Sequence, residues 1–251
     1  MFKRSVVIAL VSAMSVAQAE GPPHAPSLYI STENSPPTSM LEGTRVTGSA
    51  TDKVREAMAR AGVAYTIEML PWKRAYSSAL LRADGCVYST TRTPEREKQF
   101  KWVGPTDEGE WVLFARADHR FRLQTLEDAR RLRIGTYNGD ARDTYLRARG
   151  FLVDPAPNDS INPQKLILKR IDLWAAGLRR GSPYLEASGY AGRIVPVLTF
   201  NRVKLYLACN SAVPDATIDK LNSAFEAMNR DGATRRIEHM YDTWGGPRTA
   251  Q

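Results

Sequence analysis

The stretch DGCVYSTTRTPEREKQF, residues 84–100, carries the strongest indication of fold and function in this chain. It begins with a short β-rich run at residues 86–88 and continues through a hydroxyl cluster at residues 89–93. It ends at Pro94-Glu95-Arg96, which is typical of the first turn of a short helix. Hydroxyl donors and a guanidinium fork at the end of a strand suit a ligand with a carboxylate. An ordinary strand-to-helix loop, with Arg96 paired to a surface acid, is the alternative.

Hydrophobic spacing on both sides of this stretch predicts alternating strands and helices. Before it we predict strands at residues 28–31 and 63–69, and helices at 52–61 and from Pro71 onward. After a strand-like segment at 111–115 the alternation starts again, with strands at 133–136, 151–153, 171–175 and 194–198 and helices at 140–149, 163–169 and around Tyr184. A strand at 203–208 and two helices complete the chain. Short connections between such elements imply parallel strands, so we predict two similar α/β lobes.

The first nineteen residues have the composition of a secretory signal peptide. Lys3 and Arg4 precede an apolar run, and Ala17-Gln18-Ala19 forms a small-x-small cleavage site. We therefore expect cleavage after Ala19 and export to the periplasm. No later run approaches the ~18–20 apolar residues of a membrane span. Without Lys3 and Arg4 the chain has 33 basic and 27 acidic residues, a net charge of about +6.

Composition argues against several other classes of function. The basic residues are scattered and form no stripe interleaved with aromatics, so we predict no nucleic-acid binding. The three histidines, His24, His119 and His239, lack metal-ligand spacing, and we predict neither a metal nor a cofactor. The only cysteines are Cys86 and Cys209. Because paired cysteines of exported proteins usually oxidise, we predict a disulfide between them.

Five fragments together resemble the extracellular solute-binding proteins of family 3, the polar amino-acid type of periplasmic binding protein. They are ENSPPTSMLEGTRVTG (33–48), STTRTPEREKQFKWVGP (89–105), TLEDARRLRIGTYNGDARDTYL (125–146), RIDLWA (170–175) and LNSAFEAMNRDGATRRIEHMYDTW (221–244). Each fragment is weak by itself, but their order and spacing are specific, and they extend over nearly the whole chain after the signal peptide.

The resemblance implies an α/β fold of the type II periplasmic binding protein class. In this fold two lobes, each with a mostly parallel sheet flanked by helices, are joined by two crossing strands. Residues 20–112 and 203–251 would form lobe 1, and residues 113–202 would form lobe 2. The strand at 203–209 would then lie beside the strand at Cys86, which supports the disulfide independently.

The resemblance also implies ligand-binding residues in lobe 1. The carboxylate-binding arginine falls on Arg96, and the donors before it fall on Ser89 and Thr91. The aromatic platform falls on Trp72, which could equally be a half-buried packing residue. Glu33 falls where the family often places an acid beside the cleft, although a solvated loop acid is the alternative.

In lobe 2, Gly139-Asp140-Ala141 lies between a strand and the start of a helix. Free backbone N–H groups and the helix dipole there favour an anion, unless Asp140 simply caps the helix. Tyr137 could point into the cleft or pack under the loop. Trp174 could supply an apolar wall or belong to the core.

Two departures from the family pattern bear on the ligand. Amino-acid binders usually place an acid shortly after the strand at 171–174, to hold the ammonium group of the ligand. Here the sequence is Ala175-Ala176-Gly177, with no acid. In addition, the position just before Pro36, where the family often has an aromatic residue, falls near Ser35. Both departures favour an anionic small molecule other than a standard amino acid.

The sequence thus favours a monomeric binding protein that closes over a small carboxylate-bearing solute by hinge motion and delivers it to an ABC permease. One alternative is a sensor module that reports a ligand to a membrane receptor. Another is a dehydratase-like enzyme on the same fold, in which Glu33 would be the general base. Because no histidine lies near a candidate nucleophile, we predict that the protein is not an enzyme.

Overall fold

The computed structural model describes residues 27–119 and 121–242 of the chain, and within these the side chains of residues 179–183 are left aside. The predicted signal peptide at residues 1–19 and the C-terminal Trp244 lie outside the described residues. The described chain forms an eight-stranded sheet with helices on its faces, divided into two lobes, and a separate two-stranded sheet.

Lobe 1 takes up the first part of the chain and its C-terminal segment. Its first part comprises β1 (Leu28–Thr32), β2 (Met40–Glu42), β3 (Arg45–Thr47), α1 (Ser49–Ala61), β4 (Tyr65–Met69), α2 (Trp72–Leu81) and β5 (Gly85–Thr91). Strand β1 lies between β4 and β5 and is parallel to both. The lobe is completed by α6 (Asp215–Arg230) and α7 (Ala233–His239), of which α6 packs against α1.

Lobe 2 repeats this arrangement. It comprises β7 (Arg133–Tyr137), α3 (Ala141–Ala148), β8 (Leu152–Ala156), α4 (Asn162–Ile167), β9 (Leu173–Gly177) and α5 (Leu178–Ala187). Strand β7 lies between β8 and β9 and is parallel to both. The internal repeat predicted from the sequence therefore corresponds to two three-stranded parallel units.

Two long strands, β6 (Lys101–Arg116) and β10 (Ile194–Cys209), cross between the lobes. They pair with each other in antiparallel orientation, while β10 also pairs with β5 and β6 with β9. Their pairing shifts in register near Leu205 and again near Thr199. The predicted lobe boundaries at 112/113 and 202/203 fall inside these strands and stay predictions. The short strand predicted at 111–115 is thus the second half of a 16-residue strand.

The helix boundaries follow local chemistry. Helix α1 buries Val54, Ala57 and Met58 at helical spacing and ends at Gly62, whose φ of 64° suits a residue without a side chain. It begins at Ser49, three residues before the predicted start at residue 52. Helix α2 begins directly after Pro71, as predicted. The first turn expected at Pro94 is instead a turn that leads into a 3-10 helix at Glu97–Gln99.

Cys86 and Cys209 form the predicted disulfide, which connects β5 to β10 at directly paired positions. The two helices predicted at the end of the chain are α6 and α7, and α7 ends at His239, which leaves Met240 largely exposed. None of the helices in the described part of the chain combines the length and apolarity that crossing a membrane requires.

Candidate functional site

A cavity of about 110 Å³ lies where the two lobes face each other, and we call it the inner cavity. Lobe 1 contributes Glu33, Ser35, Thr38, Trp72, Ser89, Thr91 and Arg96. Lobe 2 contributes Tyr137, Asp140, Ala141, Arg142, Gly177 and Leu178, and the crossing strands contribute Asp107 to Trp111, Val203 and Leu205. Of the ten ligand-binding residues predicted from the sequence, eight line this cavity. Gly139 is not a lining residue but bonds to two of them, Trp72 and Arg96, and Trp174 lies elsewhere.

Ser89 reaches the inner cavity through an irregularity in β5. Its φ is 57°, in the left-handed region that a residue with a side chain seldom occupies. At this point the pairing with β10 shifts, since Tyr206 faces Thr90 whereas Ala208 faces Val87. Such a bulge redirects a side chain from the regular alternation of a strand. Backbone strain of this kind is common at functional sites, which supports a binding role for Ser89.

Arg96 is buried at the wall of the inner cavity and forms hydrogen bonds with both lobes. Its guanidinium donates to the carbonyl oxygen of Thr91 at 3.3 Å and, across the cleft, to that of Gly139 at 3.1 Å. Its charge also lies 4.9 Å from the ring centre of Tyr76 and 5.8 Å from that of Trp72. These two hydrogen bonds leave the remaining members of its five N–H donors for a ligand.

Trp72, the first residue of α2, makes a second contact across the cleft. Its indole Nε1–H donates to the carbonyl oxygen of Gly139 at 2.8 Å. The φ of Gly139 is +79°, and a Cβ built there would lie 3.6 Å from Cδ1 of Trp72. A side chain at position 139 would therefore be strained by the left-handed backbone, while its Cβ would lie in ordinary van der Waals contact with the indole. Trp72 both lines the cavity and packs, so the two alternatives from the sequence are not exclusive.

A third contact across the cleft joins Tyr137 and Glu33. The Tyr137 hydroxyl donates to Oε1 of Glu33 at 2.7 Å. Tyr137 is also buried in one apolar cluster with Trp72 and Phe100 of lobe 1. The two lobes are therefore held together by an apolar contact and by hydrogen bonds between residues of one lobe and residues of the other.

Asp140 caps α3, the simpler of its two predicted roles. Its Oδ1 accepts from the backbone N–H of Arg142 at 2.7 Å, and its two oxygens accept from Nε and Nη2 of the same residue at 2.7 and 2.9 Å. Burial by itself would raise the pKa of Asp140, but the charge and hydrogen bonds of Arg142 hold that pKa below its usual value. Arg96 lowers the pKa of Asp140 as well, so this carboxylate lies in the field of both arginines.

Arg142 is one of the cavity residues that the sequence analysis did not identify. It is buried, its guanidinium lies 5.6 Å from the ring centre of Tyr137, and a Cβ built on Gly177 would lie 3.8 Å from its Nη1. Gly177 belongs to the Ala175-Ala176-Gly177 segment, where an acid was expected from the family pattern. A signal was present, because a cation in the first turn of a helix opposes the dipole and is unfavourable without a specific partner.

The acids along the crossing strands carry most of the negative charge of the inner cavity. Asp107 pairs with the fully buried Lys53 at 3.2 Å, and Glu110 pairs with Arg202 at 3.0 Å. Glu108 is exposed at the rim. Together with Glu33 they place carboxylates opposite the two arginines, so the cavity presents both signs of charge to a ligand.

Trp174 is a core residue, and the apolar wall expected from it is not present. It is 1% exposed, packs against Phe114 and donates its indole N–H to Oδ1 of Asp159 at 2.7 Å. Strand residues alternate between faces, and Trp174 lies on the face of β9 that packs with Leu166 of α4 and Leu185 of α5. The apolar part of the cavity wall is supplied instead by Trp111 of β6, which the sequence analysis had assigned only to a strand.

Comparison with known proteins agrees with this architecture. The family model of bacterial extracellular solute-binding proteins, family 3, matches residues 28–247. No curated protein matches the chain. A histidine kinase sensor domain with similarity to periplasmic binding proteins aligns with a TM-score of 0.81 and 14% identity, over 87% of this chain and 97% of that one.

Two further solved structures are similar in fold. An ancestral arginine-binding protein bound to arginine has a TM-score of 0.76 and 20% identity, over 86% of this chain and 98% of its own. The GluR0 ligand-binding core from Nostoc punctiforme in complex with L-glutamate has a TM-score of 0.74 and 17% identity, over 86% and 99%. The chain therefore belongs to the bacterial extracellular solute-binding proteins, family 3, and the predicted type II fold is confirmed.

Proposed function

We propose that the protein is a periplasmic solute-binding protein that captures a small carboxylate-bearing solute between its lobes and delivers it to an ABC permease. The observation that carries this proposal is the inner cavity, in which Arg96 of lobe 1 and Arg142 of lobe 2 face the same space. A ligand carboxylate that engages donors of both lobes stabilises the closed form, and this differential contact is what drives hinge closure.

The proposed ligand is small and carries a carboxylate at the Arg96 end. Arg96 combines permanent charge, burial and free N–H donors, and Ser89 and Thr91 place hydroxyls beside it. The carboxylates of Glu33 and Glu108 provide places for a positive group of the same ligand. An amino-acid-like molecule therefore suits the cavity. Glu33 and Glu108 would hold its ammonium group in place of the acid that the family usually has near residues 175–177.

The contacts across the cleft supply the closing mechanism. Trp72 and Arg96 both donate to the carbonyl oxygen of Gly139, and Tyr137 donates to Glu33. These bonds are few and can break together, while β6 and β10 stay paired and bend where their register shifts. The hinge would lie at these shifts. Ligand binding would add contacts to the closed form and so shift the equilibrium toward it.

A thermal-shift screen against amino acids, small carboxylates and aromatic acids tests this proposal, because a ligand that binds only the folded state raises the melting temperature. For a ligand so found, Arg96→Lys and Arg96→Ala should weaken binding in calorimetry by about ten- to a hundredfold, since a hydrogen bond to a charged group is worth about 1.5–3 kcal/mol. Arg74→Ala, at an exposed position of α2, is the matched control. Equal affinity of the Arg96 variants and this control would refute the role of Arg96.

We further propose that the cavity binds without catalysis. Glu33 is the candidate general base of a dehydratase-like alternative, and its Oε1 accepts a hydrogen bond from Tyr137. Incubating the protein with its ligand and following the ligand by mass spectrometry tests this alternative. Conversion that is lost in Glu33→Gln would establish an enzyme, whereas recovery of unchanged ligand supports a binding protein.

A sensor is the second candidate function, and the likeness to a histidine kinase sensor domain favours it. In that case the closed form would contact a membrane receptor instead of a permease. Crosslinking of the liganded protein in membranes of the source cells, followed by identification of the captured partner, separates the two. Capture of permease subunits supports transport, and capture of a receptor supports sensing.

A further inference from the structure

A second and larger space of about 830 Å³ lies between the lobes, and we call it the outer groove. It shares Trp72, Arg96 and Trp111 with the inner cavity, so these side chains form a common wall. The bonds of Trp72 and Arg96 to Gly139 keep that wall closed. The volume of the outer groove falls in the range of about 300–1,000 Å³ that is typical of sites for small organic ligands.

The rim of the outer groove carries excess positive charge. Lys73 of α2, Arg149 after α3 and Lys204 of β10 line it and are exposed. Among the residues that the structure describes, no carboxylate lies within ion-pair distance of any of these three cations. Two further lining arginines are neutralised, Arg92 by Glu97 and Arg202 by Glu110.

The only carboxylate that lines the outer groove in the described chain is Glu95. It is near enough to Arg149 for that arginine to contribute to lowering its pKa, although the bond from Thr93 contributes most. One acid against three unpaired cations leaves the groove positive. The three cations come from lobe 1, lobe 2 and a crossing strand, so an anion in the groove would face both lobes and the crossing strands.

The floor of the outer groove is aromatic. Tyr76, Trp111, Tyr145 and Tyr206 line it, and the guanidinium of Arg149 lies 3.6 Å from the ring centre of Tyr145. Rings and a stacked guanidinium offer flat surfaces to a planar ligand. Cations above an aromatic floor suit a planar body that carries several anionic groups.

We propose that the outer groove is a binding site for planar organic polyanions, separate from the inner cavity. Its ligand carries at least two negative charges, which Lys73, Arg149 and Lys204 hold at the rim, and an aromatic or other planar body that lies on the tyrosines. Thr91 and Arg96 line both spaces, but Lys73, Arg149 and Lys204 do not line the inner cavity, so a test by substituting these three is independent of the function proposed above.

Calorimetry with benzene-1,3,5-tricarboxylate tests the site in the whole mature protein. We expect saturable binding that weakens as salt is added, because exposed charges are screened. The triple variant Lys73→Gln, Arg149→Gln, Lys204→Gln should bind about tenfold more weakly or worse. The triple variant Lys220→Gln, Arg230→Gln, Arg235→Gln removes the same charge from exposed positions away from the groove, and it should bind like the wild type.

Each result decides the matter. Absence of binding to the wild-type protein, or equal loss in both triple variants, would overturn the proposal. Propane-1,2,3-tricarboxylate, with equal charge and no ring, should bind more weakly than the aromatic probe, and equal affinity would refute the role of the aromatic floor. If the groove triple variant does not fold, as judged by circular dichroism, the three single variants replace it. Wild-type affinity for the probe in all three single variants would likewise overturn the site.

Discussion

The indole N–H of Trp72 in lobe 1 donates to the carbonyl oxygen of Gly139 in lobe 2 at 2.8 Å, and Arg96 donates to the same oxygen. One carbonyl thus accepts from two side chains of the opposite lobe. Both donors are residues that the sequence assigned to ligand binding. The groups that join the two lobes in this structure are therefore the same ones that border the inner cavity.

Trp72→Phe should favour the open form in the absence of ligand. The ring remains while one hydrogen bond across the cleft is lost, which costs about 0.5–1.5 kcal/mol. Small-angle X-ray scattering should give a larger mean radius of gyration than the wild type. Trp102→Phe is the control, because the Trp102 indole donates within lobe 1, to the carbonyl oxygen of Glu97. Identical scattering of the two variants would contradict a role in closure.

Asp140→Asn should destabilise the protein most at neutral pH. It leaves the buried Arg142 without its carboxylate, and breaking a buried pair costs about 3–5 kcal/mol. The pKa of Asp140 is lowered in the folded state, so the stability it contributes is present above its unfolded pKa and is lost as pH falls through the lower folded pKa.

The difference in unfolding free energy between wild type and Asp140→Asn should therefore shrink as pH falls below about 4, the unfolded value for Asp. Urea unfolding at a series of pH values measures it. Asp219→Asn, at an exposed position of α6, serves as the control and should follow the wild type throughout. A difference independent of pH would mean that Asp140 is not ionised in the folded protein.

Replacing both cysteines, Cys86→Ala with Cys209→Ala, should lower the free energy of unfolding by about 2–4 kcal/mol. The two residues are 123 positions apart, so the bridge removes much freedom from the unfolded chain. Reductant should destabilise the wild type by a similar amount and leave the double variant unchanged. If reductant had no effect on wild-type unfolding, the bridge would not contribute in this way.

Lys53→Met should lower the free energy of unfolding by about 3–5 kcal/mol. Lys53 is fully buried and pairs with Asp107 at 3.2 Å and Glu238 at 3.0 Å, so the substitution removes the buried cation that these two carboxylates share. Because Asp107 lines the inner cavity, ligand affinity should change as well. Arg60→Met, which removes an exposed ion pair of the same helix, should have a much smaller effect on chemical unfolding. Equal effects of the two substitutions would argue against this account.

Local sequence was sufficient for much of lobe 1. The apolar spacing of Val54, Ala57 and Met58 and the glycine at 62 specify α1, and Pro71 specifies the start of α2. Both are decided by contacts a few residues apart, which a single sequence displays. The order of strands and helices, and so the two similar α/β lobes, followed from the same short-range periodicities.

The inner cavity was predictable in part. Arg96, Thr91 and Trp72 stood out by residue type and by resemblance to the family, and they do line it. Arg142 did not, because its position depends on the bidentate bond to Asp140 and on the space beside Gly177. For Trp174 the sequence left a cavity wall and the core as alternatives, and the structure places it in the core, because the packing of the lobe decides which face of β9 carries the indole.

The sequence by itself therefore determined most of the elements and their order, since these depend on neighbours along the chain. The tertiary structure decided which side chains meet. Trp72 and Gly139 are 67 positions apart and Tyr137 and Glu33 are 104 apart, and they come together only because β6 and β10 cross between the lobes. Pairing over such distances is set by the packing of whole lobes, which no local pattern records.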